Sequence, residues 1–209
     1  AIIWDPESYP DVQTIRDLKE RDITVSMSPG NKAADALVAL DQLSQGQLDM
    51  SYDSSPANFI ASGGKFAQQA VVTNDPYAYE HVYKQWGKPV RHQLMYDAGF
   101  RFHFATASVR SGDLDELRPC LAKLVPVWQQ SIVDYVTSPE ATNKRIVDIV
   151  EAYDTFWKYT LGAAAYGAET MLREGLVSNG DDSTIGNFNP AIVEETVDIL
   201  RRTGTAIPE

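Results

Sequence analysis

Three stretches of the chain put small polar residues where an extended segment gives way to a helix start: Ser26-Met27-Ser28-Pro29-Gly30-Asn31, Tyr52-Asp53-Ser54-Ser55-Pro56 and Thr73-Asn74-Asp75-Pro76-Tyr77. The first turn of a helix carries unpaired N–H groups and a partial positive charge, so each turn can hold a polar or anionic atom. Open α/β sheets bind ligands outside the carboxyl ends of their strands, where such turns gather. Ser28, Gly30, Asn31, Ser54, Ser55, Asp75 and Tyr77 are accordingly the candidate ligand-binding residues. Capping alone explains any one of these turns, since Ser, Asn and Asp are common caps; the occurrence of three in series is what points to a site. Flat side chains with a polar edge stand in or beside the turns, and Tyr52, Tyr77, Tyr79, Trp4 and Trp86 could sandwich a planar ligand. Tyr79 and Trp86 read equally well as core or rim, which leaves Trp4 and Tyr77 as the aromatic candidates.

Signs of catalysis are weak. The chain has no Gly-x-Ser-x-Gly elbow, no phosphate-binding Gly-rich loop, no Gly-x-Gly-x-x-Gly turn and no Cys-x-x-Cys pair. Asp97 beside Tyr96, or Asp75 with Glu80, can be drawn as an acid–base pair, but carboxylates abound in a chain of net charge -11, and caps and solvated faces account for them. His81, His92 and His103 lack the spacing of zinc ligands, and Cys120 is the sole cysteine. Neither a metal nor a cofactor is expected, no catalytic residue is assigned, and the expectation is binding without turnover rather than an enzyme.

The elements that must position these turns alternate in type. Thr14–Arg21 reads as a short polar helix, Asp22–Ser26 as a strand, and about Lys32–Leu43 as a helix with an apolar stripe of Ala34, Leu37, Val38 and Leu40 that stops by Gly46. A strand over Leu48–Tyr52, a helix over Ala57–Ala61 halted by Gly63-Gly64, a strand over Ala67–Thr73 and a helix over about Tyr77–Trp86 follow. Val90–Tyr96 and Phe102–Val109 alternate as strands do. Strands with helices between them predict a parallel sheet, hence an α/β fold class. Past Asp113 the apolar residues keep helical spacing, with Pro119 and Pro126 expected to start or kink the segment. Further helices are predicted over Asn143–Tyr153, Thr155–Glu174 and Pro190–Arg202, broken by Ser138-Pro139, Gly175 and the loop Ser178-Asn179-Gly180-Asp181-Asp182. The layout is an α/β front half with a helical C-terminal half.

Composition narrows the partners. With 209 residues, 44% of them hydrophobic, the chain can bury a core. Acidic residues outnumber basic ones by 29 to 18 with no basic run, so no nucleic acid partner is expected and nothing draws the chain to an anionic membrane. No stretch approaches the roughly 18 to 20 apolar residues of a membrane span. The chain opens directly at Ala1-Ile2-Ile3-Trp4-Asp5-Pro6, which reads as the boundary of a piece, so the lack of a secretion signal or lipid-anchor cysteine carries no information about location.

The run Gln45-Gly46-Gln47-Leu48-Asp49-Met50-Ser51-Tyr52-Asp53-Ser54-Ser55-Pro56-Ala57, then Ala67-Gln68-Gln69, Asn74-Asp75-Pro76-Tyr77-Ala78-Tyr79-Glu80 and Trp86-Gly87-Lys88-Pro89-Val90, resembles ABC-transporter extracytoplasmic solute-binding proteins of the thiamine-pyrimidine, nitrate and sulfonate-binding superfamily, of the periplasmic-binding-protein type 2 kind. The resemblance extends through Tyr96-Asp97-Ala98-Gly99 and Arg118–Pro126 toward Gly186-Asn187-Phe188. It implies a two-lobed, Venus-flytrap fold in which each lobe is a sheet flanked by helices and ligand closes the cleft. Residues 1-20 would then be a hinge or first-lobe segment, 21-98 the second α/β lobe, and 99-209 a return strand and C-terminal helices that complete the first lobe and pack on the second. The N-terminal part of the first lobe would be missing, and Trp4 would lie near the hinge. The function implied is that of the substrate-binding component of an ABC importer, delivering a small molecule, with a planar heterocycle such as a thiamine-type pyrimidine precursor preferred, to a permease and its ATPase outside the cytoplasm, in the periplasm or lipid-anchored at the cell surface. The alternatives are a pyrimidine-synthase-like enzyme of the same superfold, which would need a lysine partner that His92 and His103 lack in sequence, and the effector-binding domain of a transcription regulator.

Overall fold

The computed structural model describes residues 1–153, 158–180 and 182–207 and divides them into two compact units, one of Ala1–Phe102 with Pro190–Glu209, the other His103–Asn189.

In the first unit five short strands form one mixed sheet in the order β3-β2-β4-β1-β5, comprising β1 (Ile2–Trp4), β2 (Val25–Ser26), β3 (Leu48–Asp49), β4 (Ala67–Gln69) and β5 (Arg91–Gln93). β2 pairs in parallel with both β3 and β4, whereas β1 runs antiparallel to β4 and to β5, so β2 to β5 all point one way and β1 alone points the other. The all-parallel expectation is thereby corrected to a mixed sheet. The sequence reading assigned no strand to β1, because three apolar residues in a row show no alternation. They lie inside the sheet with both faces covered, where continuous apolar runs belong.

Period-two geometry sends neighbours on a strand to opposite faces, and the packing follows it. Ile2 and Trp4 join Val25, Leu37 and Ala67 in a core beneath α1 (Ile15–Glu20) and α2 (Lys32–Ala39), to which Ile199 of α8 (Pro190–Arg202) also belongs. Ile3 joins Phe59 of α3 (Ala57–Ala61), Tyr79 and Val90 in a second core on the other face. The sheet is thus the middle layer. α1 begins in a capping box, with Thr14 Oγ1 accepting from Asp17 N at 3.2 Å while Asp17 Oδ2 accepts from Thr14 N at 2.8 Å.

Several expected boundaries move. α2 closes at Ala39 rather than near Leu43, because Asp41 turns left-handed (φ 59°) and Gln42 N folds back onto Leu37 O at 2.8 Å. The expected strand over Phe102–Val109 is absent: Phe104 is 85% exposed, Ala105 is left-handed (φ 55°), and no neighbouring strand supplies a ladder. The expected helix over Tyr77–Trp86 is replaced by one α turn, α4 (Asp75–Tyr77), running directly into a π-helix at Ala78–Val82.

The second unit is helical, with α5 (Leu114–Thr137), α6 (Glu140–Tyr153) and α7 (Leu161–Arg173). α5 runs unbroken through Pro119 and Pro126, which were expected to start or kink it. Small residues Ala163, Ala164, Gly167 and Ala168 form the buried face of α7 and let α6 approach closely. Asn143, buried on α6, accepts from Tyr135 Oη of α5 at 2.9 Å. Leu117, Val125, Val127 and Trp128 of α5 remain exposed. Of the helix predicted over Thr155–Glu174, residues 155–157 lie outside the described residues, as does Asp181 of the following loop.

Candidate functional site at the carboxyl rim of the sheet

Because β2, β3 and β4 are parallel, the turns that follow them leave the sheet along one rim. The turn after β2 owes its shape to Pro29 and Gly30. Asn31 N donates to Ser28 O at 3.1 Å around a turn whose third residue, Gly30, has φ 72°, the left-handed value that favours glycine at this position. Asn31 then caps α2, its Oδ1 accepting from Ala33 N at 2.9 Å. The turn after β3 is held to it, Met27 N donating to Asp49 O at 2.8 Å and Tyr52 N to Met27 O at 3.2 Å.

Gln69, the last residue of β4, ties the end of that strand to the turn after β2. Its Oε1 accepts from Ser28 N at 3.1 Å and from Asn31 Nδ2 at 2.6 Å. Gln68, one residue earlier, points to the opposite face, where its Nε2 donates to the Tyr79 hydroxyl at 3.1 Å. Beyond β4 the chain reverses at Val71–Asp75, and the Asp75 carboxylate closes that turn. Oδ2 accepts from Val71 N at 2.7 Å and Oδ1 from Asn74 Nδ2 at 2.9 Å.

Around Asp75 stand three phenols. Burial, with the Asp75 charge adding to it, holds the hydroxyls of Tyr52, Tyr79 and Tyr83 above their ordinary range, so all three stay protonated. Tyr79 and Tyr83 meet edge to face at 5.3 Å, and Phe59 and Trp86 complete the aromatic packing around Tyr79. Burial also raises the Asp75 carboxyl, against the two hydrogen bonds it accepts. The π-helix presents Tyr79; such segments carry an irregular register and recur at functional sites.

The structure brings Ser28, Gly30, Asn31, Asp75 and Tyr77 into these rim turns, with the Tyr77 ring 4.6 Å from that of His81. Ser54 and Ser55 lie farther along the turn after β3. Ser54 is exposed and left-handed (φ 69°), and Ser55 is engaged locally, its N–H bonding Asp53 Oδ1 at 2.9 Å and its Oγ accepting from Ala57 N at 3.2 Å. Trp4 is not brought to the rim. β1 runs the other way, so its carboxyl end lies at the opposite edge, and Trp4 is wholly buried with its Nε1 donating to Val12 O at 3.2 Å. Sequence reasoning left out Gln68, Gln69 and Tyr83. Two amides in series within an otherwise apolar strand were the available signal, since a half-buried strand keeps a polar residue on each face only if each finds a partner.

No group of three His, Cys, Asp or Glu side chains that could hold a metal occurs among the described residues, and no described helix is long and apolar enough to cross a membrane. No family model matches the chain, and neither a curated protein nor a solved structure matches it.

Proposed function

We propose that this chain is the ligand-holding part of a solute-binding receptor that takes up a small planar molecule at the carboxyl rim of its sheet and passes it to an ABC permease and its ATPase outside the cytoplasm. The observation that carries the reading is the convergence of the turns after β2, β3 and β4, the first held to the end of β4 through Gln69 and to the second through the Met27 backbone, with a carboxylate and tyrosines beside them. Such a rim offers hydrogen-bonding groups of both kinds and flat apolar walls, the composition of small-molecule sites. The importer role rests on the sequence resemblance. Ligand that touches more of the protein in a closed form than in an open one would favour closure by its differential affinity, and a permease could read the closed shape.

The test is a thermal-shift screen of the chain against heterocyclic vitamins, their precursors and small oxyanions, since a ligand that binds only the folded state raises the melting temperature by mass action. A heterocycle that raises Tm in wild type and loses affinity in Tyr77→Ala supports the reading. Absence of any shift across the panel, or an affinity indifferent to Tyr77→Ala and Ser54→Ala together, overturns it.

A further inference from the structure

We propose that His103 and Asn189 form an acid-released clasp at the two ends of the helical unit: the neutral imidazole accepts the Asn189 N–H, and protonation of the ring, which turns that acceptor into a donor, opens it.

The clasp sits where the chain enters and leaves that unit. The second unit is one continuous segment that begins at His103 and ends at Asn189, and His103 Nε2 accepts from Asn189 N at 3.0 Å across a separation of 86 residues. The Phe188 ring meets the imidazole edge to face at 5.1 Å and fixes the plane in which Nε2 is aimed. Joining the ends of so long a segment costs conformational entropy, so one bond at the ends restrains both passages of the chain at once. Two residues before His103, within the first unit, the chain is tied again: Thr196 Oγ1 of α8 donates to Arg101 O at 2.8 Å, and the Arg101 guanidinium pairs with Glu195.

The chemistry of the bond makes it sensitive to a proton. A backbone N–H only donates, so Nε2 must offer its lone pair, and the proton of the neutral ring stands on Nδ1. A second proton goes to Nε2. Donor then faces donor, and the bond is lost. Histidine is the side chain that changes charge between about pH 5 and pH 8, and neither tie at Arg101 runs through one.

Nothing beside the ring replaces the lost bond. The charged groups on the segments that meet at the clasp are Arg101 and Arg110 on the entering segment, Asp182 in the loop before Phe188, and Glu194 and Glu195 near the start of α8. Arg101 and Glu195 are taken by each other, Asp182 accepts from Asn187 Nδ2 and from Thr184 N, both at 2.8 Å, and among the described residues no carboxylate pairs with His103. The imidazolium therefore has no counter-charge to hold it where the neutral ring stood.

The test is nuclear magnetic resonance of the full chain between about pH 8 and about pH 5, reading the imidazole nitrogens of His103 and the hydrogen-exchange protection of the Asn189 amide. The expected result at the upper end is a proton on Nδ1 with Nε2 bare. As His103 takes up its second proton, the Asn189 protection factor should fall at least about tenfold. His103→Gln, whose side-chain oxygen accepts and does not titrate, should keep that protection level across the range. A neutral ring protonated on Nε2, a protection factor unchanged through the titration of His103, or the same fall in His103→Gln overturns the clasp. The wild-type titration decides even where the variant folds poorly.

Discussion

Gln69 accepts a 2.6 Å hydrogen bond from Asn31, the residue that caps α2, and so joins the end of β4 to the start of the helix that follows β2. The same oxygen takes the Ser28 N–H at 3.1 Å, so one side chain holds a turn at both of its ends. Replacing Gln69 by Ala leaves both donors without that acceptor and is expected to cost about 1–3 kcal/mol, whereas Gln69→Glu keeps an acceptor in place and should cost less. Urea denaturation of the two variants checks this order, and equal losses would show that the amide holds nothing.

Gln68 and Tyr79 form a buried pair whose removal should be asymmetric. Tyr79→Phe strands the Gln68 amide and is expected to cost about 1–3 kcal/mol. Gln68→Met added to it removes the stranded group and should recover part of the loss, because deleting both partners is cheaper than deleting one. A double variant less stable than Tyr79→Phe alone would contradict the pairing.

Asp75 makes the stability of the fold depend on pH in a definite direction. Burial raises its carboxyl in the folded chain, so the folded state binds the proton more readily than the unfolded one. The stability this group contributes is then fully present below its unfolded value and is lost as pH rises through its folded value. Asp75→Asn carries no such charge, so wild type should gain on the variant as pH falls from about 7 to about 4. Tm measured across that range for both proteins tests the sign; parallel curves would mean that the carboxyl is not buried.

Gly64 has a backbone angle of φ 74°, and a Cβ placed there would lie 2.6 Å from Asp5 Cβ and 2.8 Å from the Trp86 ring. Asp5 has little room to yield, since its buried carboxylate is held by Ser8 Oγ at 2.8 Å and Lys88 Nζ at 3.0 Å. Gly64→Ala therefore combines left-handed strain with overpacking and is expected to cost about 2–4 kcal/mol. Gly63→Ala, with a similar angle (φ 68°) and open space around it, should cost only about 1–2 kcal/mol. Comparable losses at the two positions would mean that the contact with Asp5 and Trp86 does not constrain the turn.

The rim was readable in sequence where local chemistry decides structure. Ser28-Pro29-Gly30-Asn31 is a turn and a cap on residue types alone, and α1, α3 and α8 fall where caps, a glycine pair and apolar spacing put them. What could not be read is whatever depends on a distant partner. Trp4 reads in sequence as a flat side chain with a polar edge beside the turns; only the antiparallel pairing of β1 with β4 and β5 reveals that it points into the core. Gln68 and Gln69 looked like ordinary strand positions, since their roles are written in Tyr79, Ser28 and Asn31, eleven to forty-one residues away. The π-helix has no residue signature that propensity rules can see.

The π-helix at Ala78–Val82 also sets where Tyr83, the residue that ends it, stands relative to Asp75. A regular α-helix turns by about 100° per residue, so deleting one residue between Ala78 and Val82 and letting the segment relax to α geometry would swing Tyr83 round the helix axis relative to Asp75. One codon there would thus move Tyr83 against Asp75 while leaving the pairing of the sheet untouched.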